Sequence, residues 1–109
     1  MKVLFIPKVR EYAKDLIHIL YEKDYFGFEE AARQYVDELI FDIRRSLPAK
    51  LHKKAPVYFD QYGKGMKYAV FRKNRNTSWY VFFTQYDQRG EIIYLVRFIA
   101  NNHTVAQYL

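Results

Sequence analysis

Met66-Lys-Tyr-Ala-Val-Phe-Arg-Lys73, Ser78-Trp-Tyr-Val-Phe-Phe-Thr-Gln-Tyr86 and Glu91-Ile-Ile-Tyr-Leu-Val-Arg-Phe-Ile-Ala100 are three runs rich in Val, Ile, Tyr and Phe. β-Branched and aromatic side chains of this kind fit a pleated, half-buried surface, so each run predicts a strand. Asn74-Arg-Asn-Thr77 separates the first two and Asp87-Gln-Arg-Gly90 the next two. Both connections have hairpin length and turn-forming residues. The region therefore predicts a three-stranded antiparallel meander.

Upstream, Tyr62-Gly-Lys-Gly65 marks a tight turn, because glycine reaches backbone angles that other residues avoid. The stretch 48–65, with Pro48 and Pro56 and no sustained period, reads as a loop. Before it, Ala32, Tyr35, Val36, Leu39, Ile43 and Leu47 recur at spacings of three and four, predicting a helix over Glu29–Ser46 that Pro48 closes. Val9, Tyr12, Ala13, Leu16, Ile17 and Leu20 form a similar stripe over Lys8–Lys23, with charged residues on the opposite face. Asp24-Tyr-Phe-Gly27 breaks the two, and so short a connection predicts an antiparallel helical hairpin. Lys2–Ile6 is apolar and β-branched and predicts a short strand that Pro7 ends, placed beside the meander. The fold class expected is α+β in one domain over 1–109, with the hairpin on one sheet face and the other face free. The tail from Asn101 reads as either a strand extension or a short helix.

Half of the 109 residues are hydrophobic and 19% are aromatic, enough for a single packed core without staples. No cysteine is present, and His18, His52 and His103 are scattered, which argues against a structural zinc site and against any cofactor. Val3–Ile6 is too short for a signal peptide or a membrane span, so the expected location is cytoplasmic. No glycine-rich phosphate loop follows a strand. Charge is unevenly placed. Residues 1–47 carry 8 Lys/Arg and 9 Asp/Glu, a balance of −1, and residues 48–109 carry 10 and 3, a balance of +7. Such a half suits nucleic acid or an acidic protein segment, although solubility alone is the plainer explanation.

The order strand, helix, helix and three strands, at this length, resembles the RelE/ParE superfamily of toxins from type II toxin–antitoxin systems, HigB-like members included. The more specific similarity lies in Met66–Lys73, Trp79–Phe83 and Ile92–Ile99. The terminal Asn102-His103…Tyr108 is similar to the family's basic residue followed a few positions on by a tyrosine. The resemblance implies one of two activities. Many members cut mRNA in the ribosomal A site, as mRNA interferases that inhibit translation, whereas the ParE branch inhibits DNA gyrase. It also implies a cognate antitoxin that wraps the toxin, and charge complementarity predicts an acidic, amphipathic segment in it. A fold shared by both activities does not choose between them, and an inactive interaction domain on the same scaffold is a third possibility.

Metal-free RNA cleavage uses the substrate's 2′-hydroxyl as nucleophile and needs cations at the developing phosphorane charge, plus acid–base groups. Arg97, His103 and Tyr108 are the catalytic candidates. Arg97 lies in mid-strand among apolar neighbours, where its guanidinium suits a phosphate clamp; the alternative is an ion pair with Asp87 or Glu91, or an edge-exposed side chain. Histidine titrates nearest to working pH, which makes His103 the acid–base candidate against a plain surface histidine. Tyr108 would stack on a base or position the phosphate, or simply pin the tail to the sheet. Lys53, Lys54, Lys64, Lys67, Arg72, Lys73 and Arg75 are the RNA-binding candidates, with His52 in the same basic surface. Strand alternation puts Lys67, Ala69, Phe71 and Lys73 on one face, opposite Met66, Tyr68, Val70 and Arg72. It likewise groups Ile93, Leu95, Arg97 and Ile99 opposite Tyr94, Val96 and Phe98. One departure stands out. RNA-cutting members often carry an arginine near the start of the central strand, where this chain has Ser78-Trp-Tyr-Val81.

Overall fold

The computed structural model describes residues 1–23 and 26–109. The break read at Asp24–Gly27 therefore lies partly outside the described residues, at Asp24 and Tyr25.

The chain forms an α+β fold around one mixed sheet of five strands. In chain order the strands are β1 (Lys2–Phe5), β2 (Lys53–Lys54), β3 (Lys67–Arg72), β4 (Ser78–Gln88) and β5 (Glu91–Asn101). The spatial order is β1-β5-β4-β3-β2. β1 runs parallel to β5, and the other pairings are antiparallel. The expectation of a three-stranded antiparallel meander joined by the N-terminal strand thus gives way to a five-stranded mixed sheet. The additional strand, β2, lies in the segment read as a loop. It is only two lysines long, and periodicity cannot register so short an element.

The helices are α1 (Pro7–Glu22) and α2 (Glu29–Ser46). Pro7 takes a first-turn position, where its missing N–H costs nothing. Glu29 and Glu30 open α2 and Arg44 and Arg45 close it, the sign order that the helix dipole favours. Val9, Leu16 and Ile17 of α1 and Ala32, Val36, Leu39 and Ile43 of α2 are buried. They pack with Phe71, Val81, Phe83 and Val96 from one sheet face. Removing the larger of these side chains from water contributes about 1.5–3 kcal/mol each.

The second face is not free. A 3₁₀ segment, Val57–Tyr62, and the tail cover part of it. Phe59, Met66, Phe82, Ala100 and Val105 form a second buried cluster there, with Tyr68, Tyr80 and Phe98 around it. The tail is a helical turn, α3 (Asn102–Val105), followed by a 3₁₀ turn over Ala106–Tyr108. Asn101 caps α3, its side chain accepting from the Thr104 amide. Two buried clusters, one on each sheet face, account for many of the aromatic residues.

Alternation in β3 follows the expected pattern, with Ala69 and Phe71 in the helix-side core and Met66 and Tyr68 in the other. β5 departs from it. Phe82 pairs with Phe98 but Phe83 pairs with Val96, so Arg97 is the extra residue of a β-bulge. Beyond the bulge the phase reverses: Ile99 joins Tyr94 and Val96 under the helices, and Phe98 moves to the second face. One extra residue shifts every later side chain to the opposite face.

Candidate functional site

The bulge decides what Arg97 does. Its side chain crosses the second face, packing over Gly63 so closely that a Cβ there would lie 2.7 Å from Arg97 Cδ. Nε donates to Thr84 Oγ1 at 3.0 Å and one terminal nitrogen donates to the Tyr86 hydroxyl at 3.0 Å. Thr84 Oγ1 in turn donates to the Tyr86 oxygen at 3.2 Å. Thr84 and Tyr86 are two residues apart on β4 and so present both hydroxyls on the same face.

Neither acid weighed as a partner reaches Arg97. Glu91 pairs with Lys2 at 3.5 Å, and Asp87 accepts the Gly90 amide across the hairpin turn. Among the described residues the guanidinium bonds only neutral hydroxyls, so its charge remains uncompensated and a fork of donors is left for an anion. Tyr86 is 46% exposed. Its oxygen accepts two hydrogen bonds, which leaves its own proton free to be given away. The Thr84 hydroxyl, and after it Arg97, hold the Tyr86 phenol below the usual tyrosine range. Both contacts favour the phenolate, and its exposure keeps solvent within reach.

Basic residues gather at this end of the sheet. Lys54 stands opposite Lys67 in the β2–β3 register, and Lys53 opposite Tyr68. Lys67 and Gly65 share a shallow cleft of about 380 Å³ with Tyr86. Lys64 sits between Gly65 and Gly63, the glycine that Arg97 covers. Like charges in register repel, so the Lys54–Lys67 pair costs stability unless an anion compensates it. The plainer role for paired lysines at a sheet edge is to discourage edge-to-edge association. On the other side of Arg97, Tyr62 stacks on Phe98 with centroids 4.0 Å apart and planes 7° off parallel. With Lys8 from the start of α1 they line a cleft of about 240 Å³.

The remaining candidates lie elsewhere. His103 is on α3, which Asn102 ties to the start of β4 by accepting from the Ser78 amide and donating to the Asn76 carbonyl. That is the opposite end of β4 from Thr84 and Tyr86. Tyr108 stacks on Tyr58 of the 3₁₀ segment, and not on the sheet, at 3.7 Å and 4°, and the Tyr58 phenol beside it pushes its own phenol above the usual tyrosine value. No hydrogen bond or shared cleft among the described residues joins Arg97, His103 and Tyr108 to one another.

The basic set divides in the same way. Lys64 adjoins the Gly63 that Arg97 covers and Lys67 shares a cleft with Tyr86, Lys53 and Lys54 are on the edge strand β2, and Arg72, Lys73 and Arg75 are at the β3–β4 turn. Arg72 Nε donates to the Asn74 carbonyl at 3.2 Å. Lys73 pairs with Asp42 at 3.5 Å, lies over the Tyr35 ring and is only 15% exposed, so it fastens α2 to the sheet. Arg75 is exposed. The half-buried His52 ring is engaged by the core rather than left free in the basic stretch around it. It bonds the Leu47 carbonyl at 2.8 Å and packs edge-on to Phe83 and Tyr94.

Thr84, Tyr86, Tyr62 and Lys8 are the participants that sequence reasoning missed. Only the i, i+2 spacing of Thr84 and Tyr86 in a strand signals them, and it gains meaning once the bulge turns Arg97 toward them. Among the described residues no group of three or more His, Asp or Glu side chains is placed to hold a metal ion. No helix among them is long and apolar enough to cross a membrane. Compared with known proteins, the chain matches no family model, no curated protein and no solved structure.

Proposed function

We propose that this chain is a RelE/ParE-like toxin of a type II toxin–antitoxin system and a ribosome-associated endoribonuclease that cuts mRNA without a metal. The observation that carries the reading is Arg97, held by two hydroxyls with no acid against it among the described residues, with Lys64 next to the glycine it covers and Lys67 lining a cleft with its partner Tyr86. The strand order, with a parallel N-terminal strand beside an antiparallel run of β5, β4 and β3, supports the family assignment.

In this reading the lysines hold the RNA backbone and Tyr62, stacked on Phe98, offers a ring to a base. The 2′-oxygen attacks phosphorus, the P–O5′ bond breaks, and a 2′,3′-cyclic phosphate and a 5′-hydroxyl result. Arg97 takes the charge that develops on the non-bridging oxygens. Tyr86 gives its proton to the departing 5′-oxygen, and the 2′-hydroxyl proton goes to water. The acid–base role passes from His103 to Tyr86, because His103 sits at the other end of β4. The protein acts in the cytoplasm, and its cognate antitoxin covers the basic rim with an acidic, amphipathic segment.

One observation favours a second reading, a non-enzymatic gyrase inhibitor of the ParE kind. The start of β4 lacks an arginine, and Trp79 there is buried with its indole N–H bonded to the Tyr35 hydroxyl.

The test is inducible expression with growth curves and primer extension on a translated reporter mRNA. Arrest with new cuts only in translated regions supports the ribonuclease. Arg97→Ala should then lower cleavage about 10²–10³-fold, as expected for removing one charge stabiliser. Arrest without cuts, together with blocked supercoiling in vitro, moves the reading to gyrase. No arrest leaves an interaction domain on this scaffold.

A further inference from the structure

A cavity at the His103 end of the sheet is used by neither reading above. It measures about 560 Å³, within the roughly 300–1,000 Å³ typical of small-molecule sites. Leu16 and Leu20 of α1, Phe26, Tyr35 and Trp79 form its apolar and aromatic walls. Asn74, Thr77, Thr104 and His103 bring polar groups to it, and Lys23 adds a cation. No described lining residue is a carboxylate.

Asn74 Oδ1 already accepts the Asn76 amide and the Thr104 hydroxyl donates to Asn101 Oδ1, but the phenols and the histidine of the walls are left available. Tyr35 accepts the Trp79 indole N–H at 2.9 Å, so its oxygen is oriented and its own proton can be donated. Tyr12 also lines the cavity. Burial pushes its phenol above the usual tyrosine value, which keeps it a neutral donor. His103 makes no side-chain hydrogen bond among the described residues and is exposed. Arg75, next to Asn74 in the β3–β4 turn, is a further exposed cation.

Aromatic walls suit a flat ring, neutral phenol donors suit the acceptors on its edge, and cations at the opening suit an attached anion. We propose that this cavity binds a nucleobase carrying a phosphate, in other words a nucleoside monophosphate unit. The unit is either a free nucleotide or one residue of an RNA strand. Tyr12 also lines the smaller cleft beside Arg97, but Arg97 itself is not among the residues of this cavity.

Trp79 is the only tryptophan and lines the cavity, so its fluorescence reports on occupancy. The experiment titrates the full chain with AMP, GMP, CMP and UMP separately, and with a short single-stranded RNA, alongside ligand-observed NMR. Saturable quenching by at least one mononucleotide is expected. Tyr12→Phe should weaken it up to about tenfold, the range of one hydrogen bond. Leu20→Phe, which fills the cavity, should abolish it, and circular dichroism verifies that both variants are folded. Arg97→Ala should bind as the parent does, so loss of the proposed cleavage and loss of this site are told apart. Binding of RNA but not of mononucleotides, still sensitive to Leu20→Phe, assigns the unit to an RNA strand. No binding of any probe by either method overturns the proposal. So does binding that Tyr12→Phe and Leu20→Phe leave unchanged.

Discussion

The two faces of the sheet are covered in opposite ways. On one, helices of 16 and 18 residues lay aliphatic stripes over Phe71, Val81 and Val96. On the other, a 3₁₀ segment of 6 residues and a short tail place aromatic rings over Phe82 and Phe98. Long amphipathic helices bury nearly everything they touch. Short turns bury a few rings and leave others half-exposed, as at Tyr58, Tyr62 and Tyr108. A face covered only in part keeps charged and hydroxyl groups within reach of solvent, and Arg97, Thr84 and Tyr86 are on that face.

The comparison predicts different failures. Leu39→Ala on the helix face should cost about 3–5 kcal/mol and lower the urea midpoint of the whole domain. Phe59→Ala should cost a similar amount locally, as hydrogen exchange would show by deprotection of residues 57–62 and 102–108 while β4 and β5 stay protected. Global unfolding of the Phe59 variant would mean that the two cores form one cooperative unit.

Smaller changes probe the open face alone. Gly63→Ala forces a methyl group against Arg97 Cδ and should lower RNA cleavage about tenfold, with little change in helix-face stability. Unchanged cleavage would show that the seat of Arg97 over Gly63 does not matter. Arg89 has a positive φ of 54° in the β4–β5 turn. Arg89→Asn, better suited to that conformation, should raise stability by roughly 0.5–1 kcal/mol in urea melts.

The smallest effect is spectroscopic. In an NMR titration Tyr86 should ionise before the other tyrosines, and Arg97→Ala should move it back upward. Because the folded-state value is depressed, its stabilising effect is present above the unfolded tyrosine value and is lost as pH falls through the folded one. Tyr86 titrating with the other tyrosines would remove it as the proton donor.

The helix face was legible because stripes such as Ala32, Val36, Leu39 and Ile43 repeat often enough to fix both element and orientation. β3 was legible for the same reason, since Ala69 and Phe71 sit where alternation puts them. β5 was legible only as far as Val96. A bulge leaves no compositional mark, so Phe98 and Ile99 were assigned to the wrong faces and the Arg97–Tyr86 contact was invisible. Arg97 was singled out by its polarity in an apolar strand, which is a local signal. The segment 48–65 and the tail carry β2, a 3₁₀ turn and α3, all too short for any period to reveal.

The parallel pairing of β1 with β5 sets the order in which the molecule can be completed. Lys2 lies against Ile93, 91 positions further along the chain. During synthesis β1 and the helices emerge early, yet β1 has no strand to join until β5 is made. The β3–β4 hairpin can close locally, but only β5 links it to the N-terminal segment. Ordering so distant a contact carries a loop-closure cost that local pairings avoid, and this slows the final step of folding. Until that step the apolar edge of β1 has no cover, which makes the nascent chain most exposed to aggregation just before its last strand arrives.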